Sequence, residues 1–125
     1  MIADTTFLID LYEEQAKRQP GPASEFLSRN RAATLRITII SLGEFATGFE
    51  SVLDARAYLH RFPVIRITPD SAFECSRVDR ELIQIGGRLG ENDNWIAGIA
   101  RHYGALLISN DRAFTRVRGL KVRNY

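Results

Sequence analysis

Apolar positions recur along this chain with two alternating periods, and the alternation predicts its elements. A very short strand at Ile2 and Ala3 precedes a helix over residues 6–17, in which Leu8, Leu11 and Tyr12 share one face. Gln19-Pro20-Gly21-Pro22 reads as a loop, followed by a shorter helix over residues 23–30. Leu35-Arg36-Ile37-Thr38-Ile39-Ile40 is β-branched and bounded by turn formers, which predicts a strand. Helices over residues 41–49 and 52–61 come next, then a strand over 64–67. Pro69-Asp70 opens a long helix with Cys75, Val78, Leu82 and Ile85 inward, stopped by Gly86-Gly87. Asn92 or Asp93 caps the following helix, whose inward stripe is Ile96, Ile99, Ala100 and Tyr103 and whose stop is Gly104. Ala105-Leu106-Leu107-Ile108 is too short for a helix and suits a strand buried on both faces. A turn or short helix from Asp111 and a last strand over 120–123 complete the chain. Strands alternating with helices predict an α/β sandwich built on a parallel sheet, and 125 residues predict one domain, 1–125.

Composition narrows the setting. Apolar residues make up 45% of the chain, ordinary for a globular protein. The single cysteine, Cys75, excludes an internal disulfide framework and a thiolate zinc site, and suits a reducing compartment. No apolar run approaches the roughly 20 residues of a membrane span. The start, Met1-Ile2-Ala3-Asp4, lacks the basic region and apolar core of an export signal, so a cytoplasmic protein is expected.

The net charge of +2 conceals two unlike parts. Residues 1–100 carry eleven basic and fourteen acidic side chains, a balance of −3. Residues 101–125 carry six basic side chains against Asp111, a balance of +5. Fifteen of the seventeen cations are Arg, which suits planar contacts to phosphate better than Lys does. A nucleic-acid partner is one reading of that edge, and a solvated basic surface is the other.

Four acids fall at strand-to-helix junctions. Asp4 follows the first strand, Glu44 lies just after the second, Asp93 opens a helix, and Asp111 follows the apolar strand. In an open parallel sheet such junctions gather at the carboxyl edge, where ligands bind. Asp93 joins them because it shares a helical stripe with Ile96 and Ala100. Converging carboxylates repel unless a cation neutralises them, and oxygen donors suit Mg²⁺ or Mn²⁺. Each acid has an ordinary alternative as a helix cap. Ser41-Leu42-Gly43-Glu44 even matches a capping box, with Glu44 reaching back to the Ser41 amide.

The local sequences add weight. Asp4-Thr5-Thr6-Phe7-Leu8-Ile9-Asp10-Leu11, Ser41-Leu42-Gly43-Glu44-Phe45-Ala46-Thr47-Gly48, Asn92-Asp93-Asn94-Trp95-Ile96-Ala97 and Ser109-Asn110-Asp111-Arg112-Ala113-Phe114 resemble the four motif regions of PIN-domain ribonucleases. Their order and spacing look most like VapC-type toxins of toxin–antitoxin pairs. Departures are a first strand shorter than in many relatives, Ala113 at a position often polar, and Gly98 where Ala is frequent. None removes an acid.

The resemblance implies a PIN-like three-layer α/β/α sandwich around a mainly parallel sheet of about five strands. It implies an RNA endonuclease in which Asp4, Glu44, Asp93 and Asp111 hold one or two Mg²⁺ (or Mn²⁺) ions, leaving a 5′-phosphate and a 3′-hydroxyl. Thr5, Ser109 and Asn110 would support the carboxylates, or serve as turn and cap residues. Arg112 and Arg116, one turn apart, would contact RNA phosphates or form a solvated face. Asn92 and Asn94 read as caps, and Trp95 as packing or a stacking platform. The family further implies a homodimer and a cognate VapB-type antitoxin, with promoter DNA bound only through the antitoxin complex.

Two rivals share parts of this pattern. A phosphoacceptor receiver domain needs an acidic pair after the first strand and a lysine after the last, whereas Asp4 stands alone and Lys121 lies within the strand. A non-catalytic module could keep the fold and bind RNA or protein. A dinucleotide-binding fold is poorly supported, because Gly86-Gly87-Arg88-Leu89-Gly90 follows a helix.

Overall fold

Five short strands, all parallel, carry the fold in the computed structural model, which describes Met1–Tyr125. In chain order the elements are β1 (Ile2–Ala3), α1 (Thr5–Ala16), α2 (Pro22–Arg29), β2 (Arg36–Thr38), α3 (Ile39–Ala46), α4 (Val52–Leu59) and β3 (Val64–Ile65). They continue with α5 (Pro69–Gln84), α6 (Glu91–His102), β4 (Leu106–Ile108), a 3-10 turn (Arg112–Arg116) and β5 (Lys121–Arg123). The strand order is β3-β2-β1-β4-β5, so the winding direction reverses between β1 and β4. Such a reversal opens a crevice at the carboxyl ends of the two strands, the usual ligand position in open α/β sheets.

Alternation along each strand feeds two cores. Ala3, Ile37 and Ile108 face a cluster built with Phe7, Leu8, Leu11, Phe26 and Phe45. Ile2 and Leu107 face the opposite cluster, with Val78, Leu82, Ile96, Ala100 and Phe114. The result is the expected three-layer arrangement, with α5 and α6 closing the second face. No helix is long and apolar enough to cross a membrane.

Several boundaries differ from expectation, each for a local reason. Ile39 and Ile40 begin α3 instead of finishing β2, because Thr38 caps the helix by accepting the Ser41 N–H at 3.0 Å. That leaves no capping box at Ser41 and Glu44; the Glu44 carboxylate points elsewhere. Ile85 is 67% exposed and Tyr103 48% exposed, since α5 and α6 end one residue earlier and the apolar stripes cannot continue. Neither Asn92 nor Asp93 caps α6, which starts after Gly90 without a side-chain cap. Strand β3 stops at Ile65 and leaves Arg66 and Ile67 outside.

The glycine at position 98 has a local structural reason. An added Cβ there would lie 2.5 Å from Cys75 Sγ and 2.6 Å from Cys75 Cα. Cys75 on α5 thus occupies the space an alanine would fill, and α5 and α6 pack at close range.

Candidate active site

The crevice between β1 and β4 receives its first acid directly. Asp4 follows β1 and is 3% exposed, with its N–H bonded to the Ile108 carbonyl at 3.1 Å. Its Oδ1 accepts the Phe7 N–H at 2.7 Å, capping α1. Its Oδ2 accepts a short hydrogen bond from the Ser109 hydroxyl, just past β4. Ser109 Oγ also accepts the Asp111 N–H at 3.0 Å, and Asp111 Oδ1 caps the 3-10 turn through Ala113 N at 2.7 Å. For Asp4 and Asp111, cap and cluster are therefore one role: the bond that starts the helix also fixes the carboxylate.

Glu44 is held from two sides. Its Oε2 accepts the Thr5 hydroxyl from the start of α1, and its Oε1 accepts Asn92 Nδ2 at 2.7 Å from the start of α6. Asn92 is therefore no cap: its partner lies 48 residues away, and only tertiary geometry reveals it. Asn110, expected beside the acids, instead accepts the Tyr125 N–H at 3.1 Å through Oδ1. Asn94 turns to the Cys75 carbonyl, with Nδ2 at 3.1 Å, and Trp95 is half-buried on α6. Arg112 and Arg116 are both exposed on the 3-10 turn beside Asp111.

The electrostatics show the acids in one another's field. Burial, opposed by the Ser109 and Phe7 hydrogen bonds and reinforced by the charges of Asp93 and Asp10, raises the Asp4 pKa to about 6. Asp93 is pushed up by burial and then by the charges of Asp111 and Glu44, with no cation offsetting them. None of the six ion pairs in the chain involves any of the four acids. Arg101, for example, is committed to Glu74 and Glu81, both at 2.6 Å.

As a donor set, these oxygens match a hard divalent cation, and the surplus negative charge calls for one. They do not form a closed cage: no three acidic, histidine or cysteine side chains are gathered tightly enough to clasp an ion alone. Mg²⁺ keeps several waters and takes only one or two carboxylates directly, so binding it would not require a closed cage. Asp4, which feels the charge of Asp93, and Asp93, which feels those of Asp111 and Glu44, are two residues that could hold such an ion.

Comparison with known proteins places this architecture. The PIN domain family profile matches residues 1–120. Ribonuclease VapC2 of Haemophilus influenzae is 31% identical over 119 residues, covering 87% of this chain and 88% of that protein. The structure of DNA-bound VapBC from Salmonella typhimurium superposes with a TM-score of 0.83 at 23% identity, covering 98% and 96% of the two chains. VapBC2 from Rickettsia felis, bound to a fragment of its promoter, gives 0.79 at 24% identity, covering 99% and 97%. With its sheet order, its carboxylates at the switch point and a near full-length match, the chain belongs to the PIN domain family, in its VapC branch.

Proposed function

We propose that this chain is a Mg²⁺-dependent endoribonuclease and the toxin of a VapBC-type pair. The observation that carries the reading is the set of acids around the β1–β4 crevice, within one another's electrostatic field and with no ion pair to neutralise them. Asp4, Asp93, Glu44 and Asp111 would hold one or two Mg²⁺ or Mn²⁺ ions, directly or through water. A bound cation of this kind makes water a competent nucleophile at neutral pH and offsets charge on the phosphate.

The chain's own residues supply orientation and charge. Ser109 and Phe7 fix both oxygens of Asp4, so its carboxylate enters the crevice in one rotamer. Thr5 and Asn92 do the same for Glu44. Arg112 directly follows Asp111, and Arg116 lies a turn further along, its guanidinium beside Gly87; both would hold RNA phosphates without reading sequence. Neither His60 nor His102 belongs to this machinery: both are exposed and neither bonds to the four acids.

The solved Salmonella and Rickettsia relatives are VapBC complexes with DNA. By extension, a small VapB-type antitoxin would bind this chain and obstruct the crevice, and a homodimer of the toxin would form the core of that complex. Promoter DNA would be contacted through the antitoxin. Analysis of RNA ends tests the chemistry: metal-assisted hydrolysis leaves 5′-phosphate and 3′-hydroxyl ends. Cyclic-phosphate ends would mean attack by the 2′-hydroxyl and would overturn it.

A further inference from the structure

The C-terminal side of β5 delivers Tyr125 to the same carboxyl edge as the acids, where it bonds to two different segments of the chain. Its phenol donates to Asp10 Oδ2 at 2.5 Å, across 115 residues of sequence. Its ring meets Phe7 edge-on, with centroids 4.7 Å apart and planes at 84°. Its N–H donates to Asn110 Oδ1 at 3.1 Å. The phenol and the ring grip the segment that begins at Asp4: Phe7 provides the amide that bonds Asp4 Oδ1, and Asp10 lies one turn further along α1. The N–H grips the segment after β4, where Asn110 stands between Ser109 and Asp111. Asp10 adds its charge to the field at Asp4.

We infer that Tyr125 is a positioning residue for the acidic cluster, stapling the segment that carries Asp4 to the segment that carries Asp111. This role presupposes the nuclease activity proposed above. Like Ser109, Tyr125 joins the two segments whose carboxylates must converge. A rigid aromatic with one polar tip suits such a staple, since it adds packing and a directed hydrogen bond at small conformational cost. Supporting groups of this kind typically change metal affinity or activity by about 10–100-fold when removed.

The test uses the full chain with Tyr125→Phe, Asp10→Ala and the double variant. Three quantities are read: Mn²⁺ affinity by calorimetric titration, kcat and KM on an RNA oligonucleotide with Mg²⁺, and the thermal melt. Tyr125→Phe keeps the ring and should melt cooperatively, bind Mn²⁺ roughly 10-fold more weakly and lose a similar factor in kcat, with KM unchanged. The double variant should be no worse than Asp10→Ala alone, because both remove the same bond. Tyr125→Leu should lose more than Tyr125→Phe; if it does not fold, Tyr125→Phe decides. Wild-type Mn²⁺ affinity and kcat in Tyr125→Phe would overturn the Tyr125 role and leave the nuclease standing, as would a loss confined to KM. A wild-type chain that neither binds Mn²⁺ nor cleaves RNA would overturn the nuclease and this role together.

Discussion

The Ser109 hydroxyl donates to Asp4 Oδ2 across the crevice, joining the ends of the two central strands. Ser109 is fully buried and also accepts the Asp111 N–H at 3.0 Å, so one hydroxyl orders two of the four acids. Ser109→Ala should keep the fold but lower RNA cleavage by roughly 10–100-fold, as loss of a supporting partner does at metal sites. It should also lower stability by about 1–3 kcal/mol, since a buried carboxylate loses a donor. Steady-state kinetics beside a denaturant melt measures both effects, and full activity in Ser109→Ala would show that Asp4 needs no such support.

Asp4 makes stability depend on pH in an unusual direction. Its folded pKa is about 6 against an ordinary 3.8, so between those values the folded chain retains a proton that the unfolded chain releases. Stability therefore falls as pH rises through that window and levels off above it. Asp93, raised by burial and by its acidic neighbours, acts in the same sense. Glu14, where burial is outweighed by hydrogen bonds from Ser24 and Ala23, and Glu81, held by the Arg101 hydrogen bond, slope the other way. The diagnostic quantity is thus the difference between wild type and Asp4→Asn without divalent cations. Asp4→Asn should gain about 3 kcal/mol on wild type between pH 4 and 7. Parallel stability curves for the two proteins would contradict it.

Gly98→Ala should destabilise the chain by about 1–3 kcal/mol through overpacking against Cys75. Cys75→Ala should not restore the stability, because the added Cβ also meets Cys75 Cα, a backbone atom. A double variant as stable as Cys75→Ala alone would show that the helices can separate.

These particulars mark what is and is not legible in the sequence. The buried run ending at Ile108 and the placement of Asp4 and Asp111 just past strands are legible, because burial on both faces and strand-end position are written in local composition. The start of α3 is not, because Ile39 and Ile40 favour a strand, while Thr38 and Ser41 cap a helix and prevail. Ile85 and Tyr103 keep the helical spacing but lie past the last turn, where spacing no longer determines a face. Asn92 and Tyr125 are not legible as supports: their partners, Glu44 and Asp10, are remote in sequence and no periodicity links them.

Arg112→Ala with Arg116→Ala should weaken RNA binding and flatten its dependence on salt. Each phosphate that is no longer neutralised reduces the slope of log affinity against log salt by roughly 0.7 for single strands. Both side chains are exposed, so the melt should be unchanged. An unaltered slope, measured by fluorescence anisotropy from low to moderate salt, would assign them to plain solvated surface.

Cleavage of a defined RNA by the purified chain, free of antitoxin, is the most direct measurement, comparing wild type with Asp93→Asn in Mg²⁺ and in EDTA. Asp93 faces Glu44 and Asp111 without a compensating cation, so the neutral variant relieves repulsion and should fold at least as stably. Wild type should cleave in Mg²⁺ and stop in EDTA, and Asp93→Asn should be inactive in both. Cleavage that persists in EDTA, or equal cleavage by Asp93→Asn with contaminating nuclease excluded, would contradict the assignment of these acids to metal-dependent hydrolysis.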